Sequence, residues 1–279
     1  MIEFVEETLS LLPYLFVTYL VLEALEAHAG GALGRFLGRS RAIGPLIGAL
    51  AGAVPQCGIS AAAASFYAGG VISVGTLIAV FLSTADELIP VLLATPDFPS
   101  LLLAKIVGLK IAAAILTGFL INGVLAVCRY FRRPVEVADL CARSHCHCHD
   151  HRGILLPALI HTGEIFLFIV LISGGVELVL HFFGEGALDS LCLKTPFVGE
   201  LAGGALGLIP NCAVSVVGAK LYLSGAMSAG ALMASSFTGS GVGLLVLFRT
   251  NRDWRENLAI LAAVYATGTL LGWLTGFLL

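Results

Sequence analysis

Charge is what this sequence most lacks. Only 12% of its 279 residues are Asp, Glu, Lys or Arg, where a soluble domain carries about 25%. With 58% of the chain hydrophobic, no ordinary water-facing surface can be assembled, which excludes a soluble globular protein. Strand-like alternation of apolar and polar residues is also scarce, while Ala, Leu and Gly abound. Helical membrane spans are therefore expected rather than a β-barrel. No Gly-x4-Gly-Lys-Ser/Thr loop is present, so any ATPase driving this chain would be a separate one. The net charge of −3 gives no indication of nucleic acid. Residues Met1 to Ser10 contain Glu3, Glu6 and Glu7 but no Lys or Arg, unlike a secretory signal, so the first apolar run is expected to remain as a span. Seven cysteines without secreted-domain character do not suggest a disulfide framework. Cys128 and Cys192, near span ends, read as small apolar filler.

What is present is a duplication. Shifting the chain by 155 residues lays Pro55-Gln56-Cys57 on Pro210-Asn211-Cys212. In the same register Gly44, Gly48 and Gly52 meet Gly199, Gly203 and Gly207. Ser60, Tyr67, Gly70, Ser73 and Gly75 meet Ser215, Tyr222, Gly225, Ser228 and Gly230. Each copy thus has a polar Pro-amide-Cys break in apolar surroundings. A first span is expected over about Leu9–Ala27, then short pieces at Ala42–Val54 and Ile59–Gly70, then Val71–Ala94 and Leu101–Val127. The second copy repeats the plan with Ile154–His181, pieces on either side of Pro210, a span to Phe248 and a last span to Leu279. The division is a first repeat at 1–128, a linker at 129–152 and a second repeat at 153–279.

Arginine placement decides how the broken pieces run. If each pair is a hairpin returning to its own side, Arg35, Arg39, Arg41, Arg129, Arg132, Arg133, Arg143, Arg152, Arg249, Arg252 and Arg255 share one face, eleven of the 15 basic residues. Loops on the other face hold only Lys194 and several carboxylates. Cytoplasmic loops are enriched in Lys and Arg, so that face is the cytoplasmic one and both termini are expected outside. Each half then crosses an odd net number of times. The expected fold is an all-α polytopic membrane protein of two inverted-topology repeats, each with a broken helical hairpin, about 10 hydrophobic segments in all. Transporters of this architecture bind substrate where the breaks meet near the midplane.

The breaks carry the chemistry. Pro suits the first position of the second arm, leaving backbone N–H groups and the positive dipole end pointed at the tip. A thiol there readily becomes a thiolate, the form that binds metal. Cys57 and Cys212 suit soft metals and metalloids, whereas the carbonyls of Gln56 and Asn211, with Ser60 and Ser215 one turn on, also suit harder ions. Intramembrane Asp86 and Glu87 lie about as deep as Lys110, so an ion pair and an ion-coupling role are expected. The second copy has no carboxylate there, with Ser240 and Gly241 at or beside the matching positions. Glu200 and Lys220, equally far from Pro210, are expected to form a structural pair. His161 and Glu164 share a helix face and could relay protons. In the linker, Cys141, His145, Cys146, His147, Cys148, His149 and His151 can chelate transition metal, without the spacing of a closed zinc site.

In its paired Pro-Gln-Cys-Gly and Pro-Asn-Cys-Ala breaks, its Ser83-Thr-Ala-Asp-Glu-Leu88 segment and its His/Cys-rich linker, the chain resembles a family of ten-span heavy-metal exporters. Members are named arsenic efflux proteins and, elsewhere, manganese transporters. The resemblance covers nearly the whole chain and implies efflux across the cytoplasmic membrane. The expected function is a secondary permease for a heavy-metal or metalloid ion, exchanged for protons. A manganese or other divalent-cation exporter using the amides and carboxylates stands beside it, with a channel and a membrane thiol enzyme further off. Two symmetric Cys-amide tips suit ligation better than a single activated nucleophile, so no enzymatic role is expected. No cofactor is expected. The partners are the ion and the lipid bilayer, with room left for a homo-oligomer.

Overall fold

The computed structural model describes residues 43–54, 57–84, 88–94, 99–127, 193–210 and 212–278, with isolated helical positions between 13 and 20 and between 159 and 171. The described residues are helical throughout, joined by short turns. In order they form α1 (Ile43–Gly52), α2 (Cys57–Ala68), α3 (Val74–Ser83), α4 (Leu88–Ala94) and α5 (Ser100–Val127). Next come α6 (Val198–Gly207), α7 (Cys212–Leu223), α8 (Ala229–Thr238), α9 (Gly243–Thr250) and α10 (Trp254–Gly276). The bounds of α1, α2 and α3 shifted by 155 are those of α6, α7 and α8, so the duplication extends to where helices start and stop.

The shared boundaries have local causes. After α2 and after α7 the chain turns through a glycine with positive φ, 72° at Gly70 and 71° at Gly225, which an L side chain rarely adopts. The Gly70 N–H donates to Tyr67 O and the Val71 N–H to Phe66 O; Gly225 and Ala226 do the same to Tyr222 and Leu221. Ser73 and Ser228 then cap the following helices, accepting from the amides of Thr76 and Ala231.

Two glycine stripes press the arms onto the core. In α1, a Cβ added at Gly48 would lie 3.1 Å from Thr76 O, and one at Gly52 2.6 Å from Val80 O. In α6, Gly203 and Gly207 meet Ala231 O and Ser235 O, the repeat-related atoms. Small residues at this spacing let helix backbones approach closely where there is no water to drive association. The core helices α3 and α8 are buried over nearly their full length.

The outer helices α5 and α10 run antiparallel to α3 and α8. Gly118 touches Gly75 and Ala79, and Gly272 and Gly276 touch Ala234 and Gly230. Their other faces expose Leu116, Leu120, Val127, Leu270 and Phe277. Apolar side chains in such numbers face lipid, not water. Ser100–Val127, the α8–α9 run Ala229–Thr250 and Trp254–Gly276 are each long and apolar enough to cross a bilayer. The chain is a multi-pass helical membrane protein. The first span, the Ile154–His181 span apart from isolated positions, and the linker at 129–152 lie outside the described residues.

Candidate functional site

The two copies meet at one ammonium group. Lys110, on α5, is 1% exposed. Its Nζ donates to Thr84 O at 2.7 Å, to Ser236 O at 2.6 Å and to Ser236 Oγ at 2.6 Å, and stands 5.6 Å from the centre of the Phe237 ring. Thr84 closes the C-terminal end of α3 in the first copy, and Ser236 is in the last turn of α8 in the second. Helix C-termini leave carbonyls without helical partners and carry partial negative charge. Lys110 neutralises two such ends at once, one from each repeat.

Around this point the copies interlock reciprocally. Helix α2 of the first packs along α9 of the second, while α7 of the second packs against α4 of the first. The two contacts are not equally tight. On the α2–α9 side, a Cβ at Gly243 would lie 2.8 Å from both the Phe81 ring and Ser60 Cβ, so Phe81 and Ser60 fill the space. On the α7–α4 side the repeat-related residues are Ser236 for Phe81, Ser215 for Ser60 and Leu88 for Gly243. The small serine leaves room, and a small open pocket, with space for about one water molecule, lies there. Thr84 and Leu88 line it from the first copy, Ser215, Gly218, Ser235 and Ser236 from the second. Its polar lining is hydroxyl-rich.

The tight side carries a second connection. Tyr67, near the end of α2 and 1% exposed, donates its hydroxyl to Glu256 Oε1 at 2.7 Å. The other carboxylate oxygen accepts from Asn251 Nδ2 at 2.9 Å. Asn251 also donates to Asn257 Oδ1 at 2.7 Å, and Asn257 Nδ2 returns a bond to Asn251 O at 2.8 Å. The first repeat is thereby tied to the basic loop ahead of α10. Tyr222, the counterpart of Tyr67, is only half-buried.

Of the residues singled out from sequence, Ser215 lines the pocket, Ser60 is fully buried in the closed contact and Lys110 joins the copies. Cys57 and Cys212 begin α2 and α7, one turn before Ser60 and Ser215. Gln56, Asn211, Asp86, Glu87, His161 and Glu164 lie outside the described residues, as do the linker ligands Cys141, His145, Cys146, His147, Cys148, His149 and His151. The expected Glu200–Lys220 pair does not form. Lys220 is exposed, whereas Glu200 is 7% exposed, packed on Gly230, with its Oε2 lacking a hydrogen-bond partner among the described residues. Equal distance from the Pro210 tip set their depth but not their direction, and α7 turns Lys220 outward. Thr84, Ser235, Ser236 and the Tyr67–Glu256 contact were not anticipated. The serines had a visible signature, since they replace Val80 and Phe81 of the first copy.

A protein-family model described as "Putative, 10TM heavy-metal exporter" matches residues 9–185, well over half of the chain. The searches of curated proteins and of solved structures gave no match.

Proposed function

We propose that this chain, which belongs to the family of 10TM heavy-metal exporters, is a secondary transporter that carries a heavy-metal or metalloid ion between its two Pro-amide-Cys breaks in exchange for protons. The observation that carries the reading is the reciprocal packing of the two repeats beside a pocket that both of them line, with Lys110 bonded to both. Ser60 and Ser215 bring the first turns of α2 and α7 to this region, and Cys57 and Cys212 are one turn away on the same helices. In this reading Cys57, Cys212, Gln56 and Asn211 hold the ion, with Ser60 and Ser215 beside it. Asp86 and Glu87 next to Lys110 exchange the proton, and His161 with Glu164 relays it. The linker cysteines and histidines collect metal on the cytoplasmic side.

The inverted arrangement is supported by the Tyr67–Glu256 hydrogen bond. If 42–70 crossed the membrane once, Tyr67 would emerge on the face opposite the basic loop and the first turn of α10, which holds Glu256. If it is a hairpin from the cytoplasmic side, both residues lie on the cytoplasmic face and can meet. The repeats at 1–128 and 153–279 then have opposite orientations, with the linker inside and both termini outside. The closed α2–α9 contact and the Tyr67–Glu256 bond to the start of α10 then face the cytoplasm and the pocket belongs to the outer half, so in this reading the state is shut toward the cytoplasm.

The hydroxyl lining of the pocket favours a second substrate reading, manganese or another hard divalent ion, over two thiolates alone. Tolerance of cells carrying the gene to arsenite, manganese, zinc and cadmium identifies the ion. Flux into proteoliposomes with and without a proton gradient then tests the mechanism. Gradient-driven movement is expected; passive flux would make the chain a channel, and turnover without flux an enzyme.

A further inference from the structure

The grip on Lys110 has the composition of a cation site. Three oxygens converge on Nζ at 2.6–2.7 Å, two backbone carbonyls and one hydroxyl. Both carbonyls belong to the C-terminal ends of core helices, where the helix dipole adds to the attraction for positive charge. Phe237 presents its ring face to the same point, 5.6 Å away. Oxygen cages at interrupted helices in transporters are where coupling cations sit. The asymmetry between the repeats fits this use. On the outer helices, which share Leu-Thr-Gly-Phe-Leu at 116–120 and 274–278, the position matching Lys110 is Gly268. Gly268 packs directly on Thr238, with no space for a side chain.

We infer that Thr84 O, Ser236 O and Ser236 Oγ are ligands of a monovalent-cation site, which the protein fills with its own Lys110 ammonium instead of a dissolved ion. The tethered ammonium closes the seam between α3 and α8 and makes the protein indifferent to external sodium or potassium. Any movement that separates the two core helices must break the cage, so the ammonium holds one arrangement of the repeats. This last consequence rests on the transporter reading; the cage itself does not.

The test compares purified native protein with Lys110→Ala in choline, potassium and methylammonium chloride at equal ionic strength. Removing the side chain vacates the cage, and methylammonium supplies a free head group of the same charge and donor geometry. The thermal midpoint of Lys110→Ala is expected to rise by at least about 3 °C in methylammonium, and measurably in potassium, over choline. The native midpoint stays the same in all three salts. Equal midpoints for the variant in the three salts overturn the site. Lys110→Met, which keeps the stem and loses the head, serves if Lys110→Ala yields no folded protein, and potassium is then expected to stabilise it over choline. Failure of both variants to fold in any of the salts also overturns it, since a cage that binds free cations is rescued by them. Arsenite and manganese flux through the native protein is measured separately. Absence of flux there with salt-specific stabilisation of the variant removes the exporter reading and leaves the cation site standing.

Discussion

Replacing Tyr67 by Phe removes one oxygen and leaves the ring in its buried seat. The substitution loses a 2.7 Å bond from the phenol to the Glu256 carboxylate, and a hydrogen bond to a charged group contributes about 1.5–3 kcal/mol. In the proposed topology, at about 1.4 kcal/mol per factor of ten, its loss moves the balance between this state and one open to the cytoplasm by about 10- to 150-fold. Glu256 keeps its bond from Asn251, so the carboxylate is not stranded. The change is read with a membrane-impermeant maleimide on inside-out vesicles, in protein whose cysteines other than Cys57 are replaced. Cys57, one turn before the Ser60–Gly243 contact, is expected to react at least about tenfold faster in Tyr67→Phe, from the cytoplasmic face only. An unchanged rate in a variant of native thermal stability would refute the idea that this contact holds the cytoplasmic side shut.

Ser236→Phe copies the residue of the first repeat into the second and should close the pocket, lowering metal flux at least about tenfold at a stability cost of about 1–3 kcal/mol; normal flux would detach the pocket from the transport route. Gly52→Ala brings a methyl group within 2.6 Å of Val80 O and should lower the thermal midpoint by several degrees, whereas Gly108→Ala, with open space around it, should raise stability by about 0.5–1 kcal/mol. Both are read by thermal unfolding in detergent. Asp86→Asn and Glu87→Gln should abolish uphill transport while leaving metal binding measurable, because an amide cannot cycle a proton, and Cys57→Ala and Cys212→Ala should weaken binding itself. Normal proton-driven transport by the carboxylate variants would move the coupling role to His161 and Glu164.

The duplication was legible because its markers are local. A glycine turn, a serine cap and a proline break each act within a few residues, and helix ends repeat at an offset of 155. The depth of Lys110 was legible for a similar reason: counting from a tight turn put it level with Asp86, and it reaches Thr84, two residues short of it. Direction around a helix was harder, as the outward-turned Lys220 shows. The substitution of Ser236 for Phe81 stood in plain view as a break in the repeat. Its meaning depended on Gly243 seating Phe81 from the other copy, a contact across more than 150 residues that no local pattern encodes. Tyr67 and Glu256 are likewise 189 residues apart in the chain.

The claim at the centre is that the two breaks, one from each repeat, form a single ion site. Mercury(II) tests it most directly, since it takes two thiolates in line when two are within reach and one on each ion when they are not. In protein retaining only Cys57 and Cys212, titration read by X-ray absorption should give one mercury per chain bonded to two sulfurs. Two mercury ions per chain, each bonded to a single protein sulfur, would mean that the breaks do not meet.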